Sequence, residues 1–234
     1  MNVTIIVPSL DPDEKLLKVV EGLLSEGFHD IVLVNDGSHA DHLQPFIDAA
    51  AHPEVTVLTH EVNRGKGRAL KTAFAWCIEN RPDIDGVVTA DGDNQHLPAD
   101  IRRCAEAMLA EPGKVWLGVR DFSLEHVPAR SRFGNTLTRG IMRLACGVSV
   151  TDTQTGLRAI AARHLPLMTR IEGERYEYET EMLLCLRPAG VGLGEVVIET
   201  VYINENETSH FNPLKDSWKI YKIIFRHMFS TKKK

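Results

Sequence analysis

An α/β domain with a mostly parallel sheet flanked by helices is the fold class that these 234 residues predict, and three observations predict it. Short β-branched runs alternate with helix-like segments through the first half of the chain. The runs are apolar on both faces, as strands held between two helical layers must be. Polar or glycine-rich clusters follow four successive runs, and open α/β sheets collect their ligands beyond the carboxyl ends of the strands.

Residues 3–7 read as the first strand and 14–25 as a helix, then 31–34 as a strand and 41–51 as a helix. The alternation continues with a strand at 55–58, a helix at 67–80, a strand at 86–89, a helix at 98–110 and a strand at 115–118. Beyond residue 120 the rhythm weakens. Residues 130–145 read as helical, 152–160 as a polar turn running into apolar residues, 177–186 as helical and 196–203 as a strand. The chain closes on 216–229, apolar at Trp218, Ile220, Ile223, Ile224 and Phe225 and basic at Lys219, Lys222 and Arg226, followed by a Lys232-Lys233-Lys234 tail expected to be solvated. No Pro/Gly/Ser-rich linker or internal repeat divides the chain, so one domain over residues 1–234 is expected.

Hydrophobic residues at 43% and charged residues at 25% match a globular domain with an ordinary core. A formal charge of -5 argues against a nucleic-acid partner, which calls for a basic face. The four cysteines, Cys77, Cys104, Cys146 and Cys185, form no CxxC pair and read as buried thiols in a reducing compartment. The sequence starts on a strand-like run with no basic-then-apolar leader, and no stretch approaches the ~20 apolar residues of a membrane span. A cytoplasmic location is therefore expected.

Asp91-Gly92-Asp93 is the most informative of the four strand-end clusters. Two carboxylates one residue apart repel each other unless a cation neutralises them. Mg²⁺ or Mn²⁺ held by Asp91 and Asp93, with Gln95 as a neutral oxygen ligand, would bridge the phosphates of a sugar diphosphonucleotide and stabilise the leaving group. An exposed Asp/Gly turn is the plainer alternative. Asn35-Asp36-Gly37-Ser38 ends the second strand, where one carboxylate can accept a base N–H or a ribose hydroxyl. Asn63-Arg64-Gly65-Lys66-Gly67 brings two glycines and two cations to a helix start, a setting for a diphosphate or base edge.

In this order the segments VPSLDPDEKL, LVNDGSHAD, NRGKGRALKTA, DGDNQHLPADI, LGVRDF, DTQTGLRAI, YEYETEM and SHFNP resemble the family-2 glycosyltransferases of GT-A fold. The resemblance is closest to the polyprenyl-phosphate and dolichol-phosphate mannosyl- and glucosyltransferases, and it spans nearly the whole chain. It implies one GT-A domain with a Rossmann-like sheet: a nucleotide-sugar-binding half over 1–120, an acceptor half over 121–210, and an amphipathic helix with a basic tail over 211–234. By position, Pro8, Leu10 and Asp36 would line the base pocket, Lys66 would lie near the nucleotide, and Asp91, Asp93 and Gln95 would hold the metal. Arg120, with Arg130 or Arg132, would meet acceptor or donor phosphates, with surface ion pairs as the alternative.

Asp152, within DTQTGLR, would orient or deprotonate the acceptor, with Glu179 and Glu181 as alternatives. A phosphate acceptor is already ionised and needs no strong base, whereas a sugar hydroxyl needs one. Ser209-His210 matches a late family segment that closes over the donor. Two departures stand out: Asp11-Pro12 replaces an Asn-Glu pair after the first strand, and Asn35 replaces the first aspartate of Asp-Asp-Gly-Ser.

The resemblance implies an inverting, metal-dependent transfer from a nucleotide diphosphate sugar to a lipid phosphate or a glycan. The terminal segment suits either the inner face of a membrane or packing against the domain, and oligomers are allowed. A nucleotidyltransferase would want a glycine-rich basic loop directly after the first strand, which VPSLDPDE lacks. A non-catalytic nucleotide-sugar-binding module would have no use for Asp91, Asp93 and Gln95 together.

Overall fold

The computed structural model describes residues 1–121, 136, 138–143, 147–199 and 222–223. Among the described residues, seven strands form one sheet in the order β3-β2-β1-β4-β6-β5-β7. They are β1 (Val3–Ser9), β2 (Ile31–Asn35), β3 (Val55–Thr59), β4 (Gly86–Thr89), β5 (Lys114–Arg120), β6 (Arg158–Ala161) and β7 (Gly192–Ile198). Among the described residues they are accompanied by helices α1 (Lys15–Ser25), α2 (Gln44–Ala49), α3 (Lys66–Asn80), α4 (Pro98–Ala110), α5 (Leu165–Met168) and α6 (Glu177–Leu186), besides a helical stretch at 138–143.

The period-2 alternation of strands sorts the core onto two faces. Ile5, Val7, Leu33 and Val88 face α1 and α4, meeting Leu16, Leu23, Ile101 and Met108. Ile6, Val34, Val87 and Ile160 face the other way, onto Leu70 and Phe74 of α3 and Tyr178 and Met182 of α6. Each such aliphatic side chain removed from water stabilises the fold by ~1.5–3 kcal/mol. This double burial explains why the strand runs lack polar alternation.

The sheet is parallel except at β6, which runs antiparallel to both β4 and β5. Four consecutive apolar or buried residues carry no mark of strand direction, so the sequence pattern could not show this. The helix expected at 41–51 is split into a 3-10 turn, Ala40–His42, and α2. Pro45 in the first turn of α2 has no N–H to donate and cannot sit further inside a helix. β7 begins before the expected 196, and 138–143 are helical within the expected 130–145.

Strand order reverses at β1, which pairs with β2 on one side and β4 on the other. Successive connections therefore leave β1 in opposite directions, and a crevice opens beyond the carboxyl ends of β1 and β4. The Asp91 loop stands there.

Candidate active site

The loop leaving β4 turns sharply at Asn94, whose φ of 61° is left-handed, and Asp93 Oδ1 accepts the Gln95 N–H at 3.1 Å. Lys66, the first residue of α3, places Nζ 2.7 Å from Asp91 Oδ1 and 3.0 Å from Glu179 Oε1 on α6. His96 Nε2 lies 3.4 Å from Asp91 Oδ2. Burial raises the Asp91 pKa, but the Lys66 charge and the His96 contact outweigh it and hold that carboxyl well below the usual range. Burial also opposes the charge on Lys66, yet Asp91 and Glu179 together raise its pKa. Asp93 differs: burial and then the Asp91 charge push its pKa upward.

Gly156 forms the opposite wall. A β-carbon there would lie 2.5 Å from Asp91 Oδ2 and 2.9 Å from Lys66 Nζ, so any larger residue would push the carboxylate or the ammonium aside. The Gly156 carbonyl accepts a 2.7 Å bond from Thr89 Oγ1, tying the wall to the end of β4. Asp91, Gln95, His96, Arg120, Gln154, Thr155, Gly156 and Ile198 line one cleft.

Arg120 and Asp152, both singled out from sequence, meet each other. Arg120 Nε donates to Asp152 Oδ2 at 2.7 Å and Nη2 to Oδ1 at 3.1 Å, while Oδ1 also accepts the Gln154 N–H at 3.0 Å. The Asp152 side chain has no exposure. It is built to hold Arg120 and the 152–156 turn in place. Arg130, Arg132 and Ser209-His210 lie outside the described residues.

Asp36 stands at the end of β2, buried, with its carboxylate heavily engaged. Oδ1 accepts the Arg64 N–H at 3.0 Å and Oδ2 the Gly65 N–H at 2.7 Å. His60 Nδ1 is 2.6 Å from Oδ1, and its Nε2 is 3.0 Å from Thr72 Oγ1. A carboxylate only accepts, so Nδ1 carries the His60 proton. Pro8 and Leu10 are half-buried at the end of β1. There the loops after β1 and β2 are laced together: Ser38 Oγ accepts the Asp11 N–H at 2.9 Å and Asp11 Oδ1 accepts the His39 N–H at 2.8 Å.

The glycines around Lys66 serve packing as well as the turn into α3. A β-carbon on Gly65 would lie 2.5 Å from the Glu174 carbonyl oxygen and one on Gly67 2.5 Å from Tyr178 Cβ. They let residues 174–178 pack against the start of α3. Glu174 then bonds Arg68 Nε and Nη2 at 2.5 and 2.6 Å and Lys71 Nζ at 2.8 Å. Arg158 also lay unnoticed within DTQTGLR. Its fully buried Nη1 donates to the Glu179 carbonyl at 2.8 Å, beneath the Lys66 pair. An arginine opening an apolar run was the available signal.

The donor set suits a hard divalent ion, with two carboxylates and a carboxamide on one loop. Burial and then the Asp91 charge disfavour the ionised Asp93, a cost that a bound cation would offset. No cluster of three or more His, Cys, Asp or Glu side chains arranged for a metal occurs among the described residues, so Gln95 would have to complete the set.

A doubly wound sheet with acids at its switch point is the setting of a ligand-binding α/β protein, and residues 4–160 match the family described as Glycosyl transferase family 2. The chain belongs to that family and is a glycosyltransferase. It is 27% identical over 215 residues, 85% of each chain, to the UDP-N-acetylglucosamine–dolichyl-phosphate N-acetylglucosaminyltransferase of Methanococcus voltae. It is 27% identical over 213 residues to the undecaprenyl-phosphate mannosyltransferase of Micrococcus luteus, covering 86% of this chain and 84% of that one. Glucosyl-3-phosphoglycerate synthase from Mycobacterium tuberculosis, solved with Mn²⁺, UDP and glucosyl-3-phosphoglycerate, shares the GT-A fold. The TM-score is 0.70 at 15% identity over 98% of this chain and 79% of that chain.

Proposed function

We propose that this enzyme moves a sugar, with inversion, from a nucleotide diphosphate sugar to a polyprenyl phosphate, using Mg²⁺ or Mn²⁺ at Asp91, Asp93 and Gln95. The bound ion would offset charge developing on the departing nucleoside diphosphate. Lys66 and Arg120 supply further positive charge at the cleft, and Pro8, Leu10 and Asp36 form the base end. Residues 1–120 bind the donor and 121–210 the acceptor, as parts of one domain.

One observation carries the choice of acceptor. Asp152, the candidate base, is wholly buried and held by two bonds from Arg120. A carboxylate so engaged orients a cation and is poorly placed to take a proton, whereas an ionised phosphate needs no base and is attracted by that arginine. The phosphate oxygen attacks the anomeric carbon from the face opposite the nucleotide. Two similar proteins named for dolichyl and undecaprenyl phosphates support the reading. No helix among the described residues is long and apolar enough to cross a membrane. Contact with the cytoplasmic membrane face is assigned to the basic, apolar segment over 211–234.

The test is to incubate the chain with UDP- and GDP-sugars, Mn²⁺ and undecaprenyl or dolichyl phosphate, and to follow lipid-linked sugar and free nucleoside diphosphate together. Both should appear in equal amounts and vanish with EDTA. Transfer to a glycan but not to lipid phosphate would refute the acceptor; release unaffected by EDTA would refute the metal.

A further inference from the structure

The ammonium of Lys66 sits between two carboxylates, 2.7 Å from Asp91 Oδ1 and 3.0 Å from Glu179 Oε1. Its side chain is 18% exposed, so its charge depends on these partners and little on water. Gly156 closes the wall over both Lys66 and Asp91, and His96 stands at the other Asp91 oxygen. Each oxygen of Asp91 thus faces a protein group, and Oδ1 faces a full positive charge. A divalent ion approaching Oδ1 meets that charge at close range, in a setting that screens poorly.

We propose that Lys66 is a built-in counter-cation that keeps Asp91 closed to a divalent ion until a nucleotide diphosphate draws the ammonium away, with Glu179 as its second tether. The inference rests on the metal-dependent reading of the site. The two acids that flank Nζ, Asp91 and Glu179, account for its resting place, and the ammonium neutralises both. A diphosphate offers Lys66 stronger partners without asking it to leave Glu179. Asp91 Oδ1 is then released to the ion, so nucleotide and ion each raise the affinity for the other by the same factor. Glu179 is a positioning residue: it acts on the ion only through Lys66.

Two substitutions of opposite expected effect test this. Mn²⁺ binding is followed on the full chain by loss of the free-ion electron paramagnetic resonance signal, without nucleotide and then with UDP or GDP. Lys66→Met should bind Mn²⁺ alone about tenfold more tightly than the wild type, the scale of one relieved charge–charge contact, and should gain less from nucleotide. Glu179→Gln, which leaves the ammonium with Asp91 alone, should bind the bare ion more weakly than the wild type. General damage to the fold would weaken both variants. If Lys66→Met takes bare Mn²⁺ no more tightly than the wild type while nucleotide still promotes binding, the proposal falls and the metal-dependent reading stands. If neither variant nor the wild type takes up Mn²⁺ with either nucleotide, both fall.

Discussion

Gly156 shows how much of this site is decided by a missing side chain. Its Cα lies where a methyl group would meet the Asp91 carboxylate and the Lys66 ammonium, in a cleft wall held to β4 through Thr89. Gly156→Ala should therefore lower kcat by roughly a hundredfold or more, the loss seen when one preorganised electrostatic group is displaced, with the fold retained by circular dichroism. A variant with near-normal kcat would show that the wall can yield. Asp93 makes the converse point. Burial and the Asp91 charge push its pKa upward, so the metal-free protein is strained by the group. Asp93→Asn should raise urea stability in EDTA by on the order of 1 kcal/mol while abolishing sugar transfer. Stability lost instead of gained would mean that Asp93 has a compensating partner. The strand-end rule singles out Asp36, Lys66, Asp91 and Asp93 because it needs only local sequence. It could not pair Lys66 with Glu179 or Asp91 with Gly156, since these meet only when the sheet is complete.

Helix α3 and the segment 173–178 are joined by Glu174, which bonds Arg68 and Lys71 together. Burial works against the Glu174 charge, but hydrogen bonds from Arg68 and Lys71 prevail and hold its pKa below the usual value. A carboxyl with a depressed folded pKa adds stability that is complete above its unfolded pKa and is lost as the pH falls through the folded one. Glu174→Ala should thus lower unfolding stability at pH 7 by about 1–2 kcal/mol, allowing for a half-exposed carboxylate. The deficit should shrink as pH drops below ~4. A deficit constant down to pH 3 would assign the loss to packing. At this scale the sequence was most legible where pattern and boundary signals agreed. The helices expected at 98–110 and 177–186 were found at Pro98–Ala110 and Glu177–Leu186. It was least legible where direction or a proline decided the matter, as at antiparallel β6 and shortened α2.

The whole molecule brings the Asp91 loop, the Lys66 helix start, the Gly156 wall and α6 to one crevice at the β1–β4 switch point. Ligands that bind this assembled state alone must stabilise it, by ~2.7 kcal/mol at a hundred times Kd. UDP or GDP with Mn²⁺ should raise the thermal midpoint beyond the sum of either added singly, and the excess should disappear in Lys66→Met. Equal, additive shifts would mean that the two ligands bind independently. The α/β class was readable from alternation alone, because a parallel strand needs a crossover and a crossover needs a helix. The position of β6 was not, because a short strand inserted between β4 and β5 returns from far along the chain. That insertion bears on how the protein is born. A ribosome releases β1 to β4, with Lys66 and Asp91, well before Gly156 and Glu179 emerge. The nascent chain therefore holds the Lys66–Asp91 pair at an unfinished edge open to water, and the enclosure that lends it strength comes only when the late strand slides into its slot.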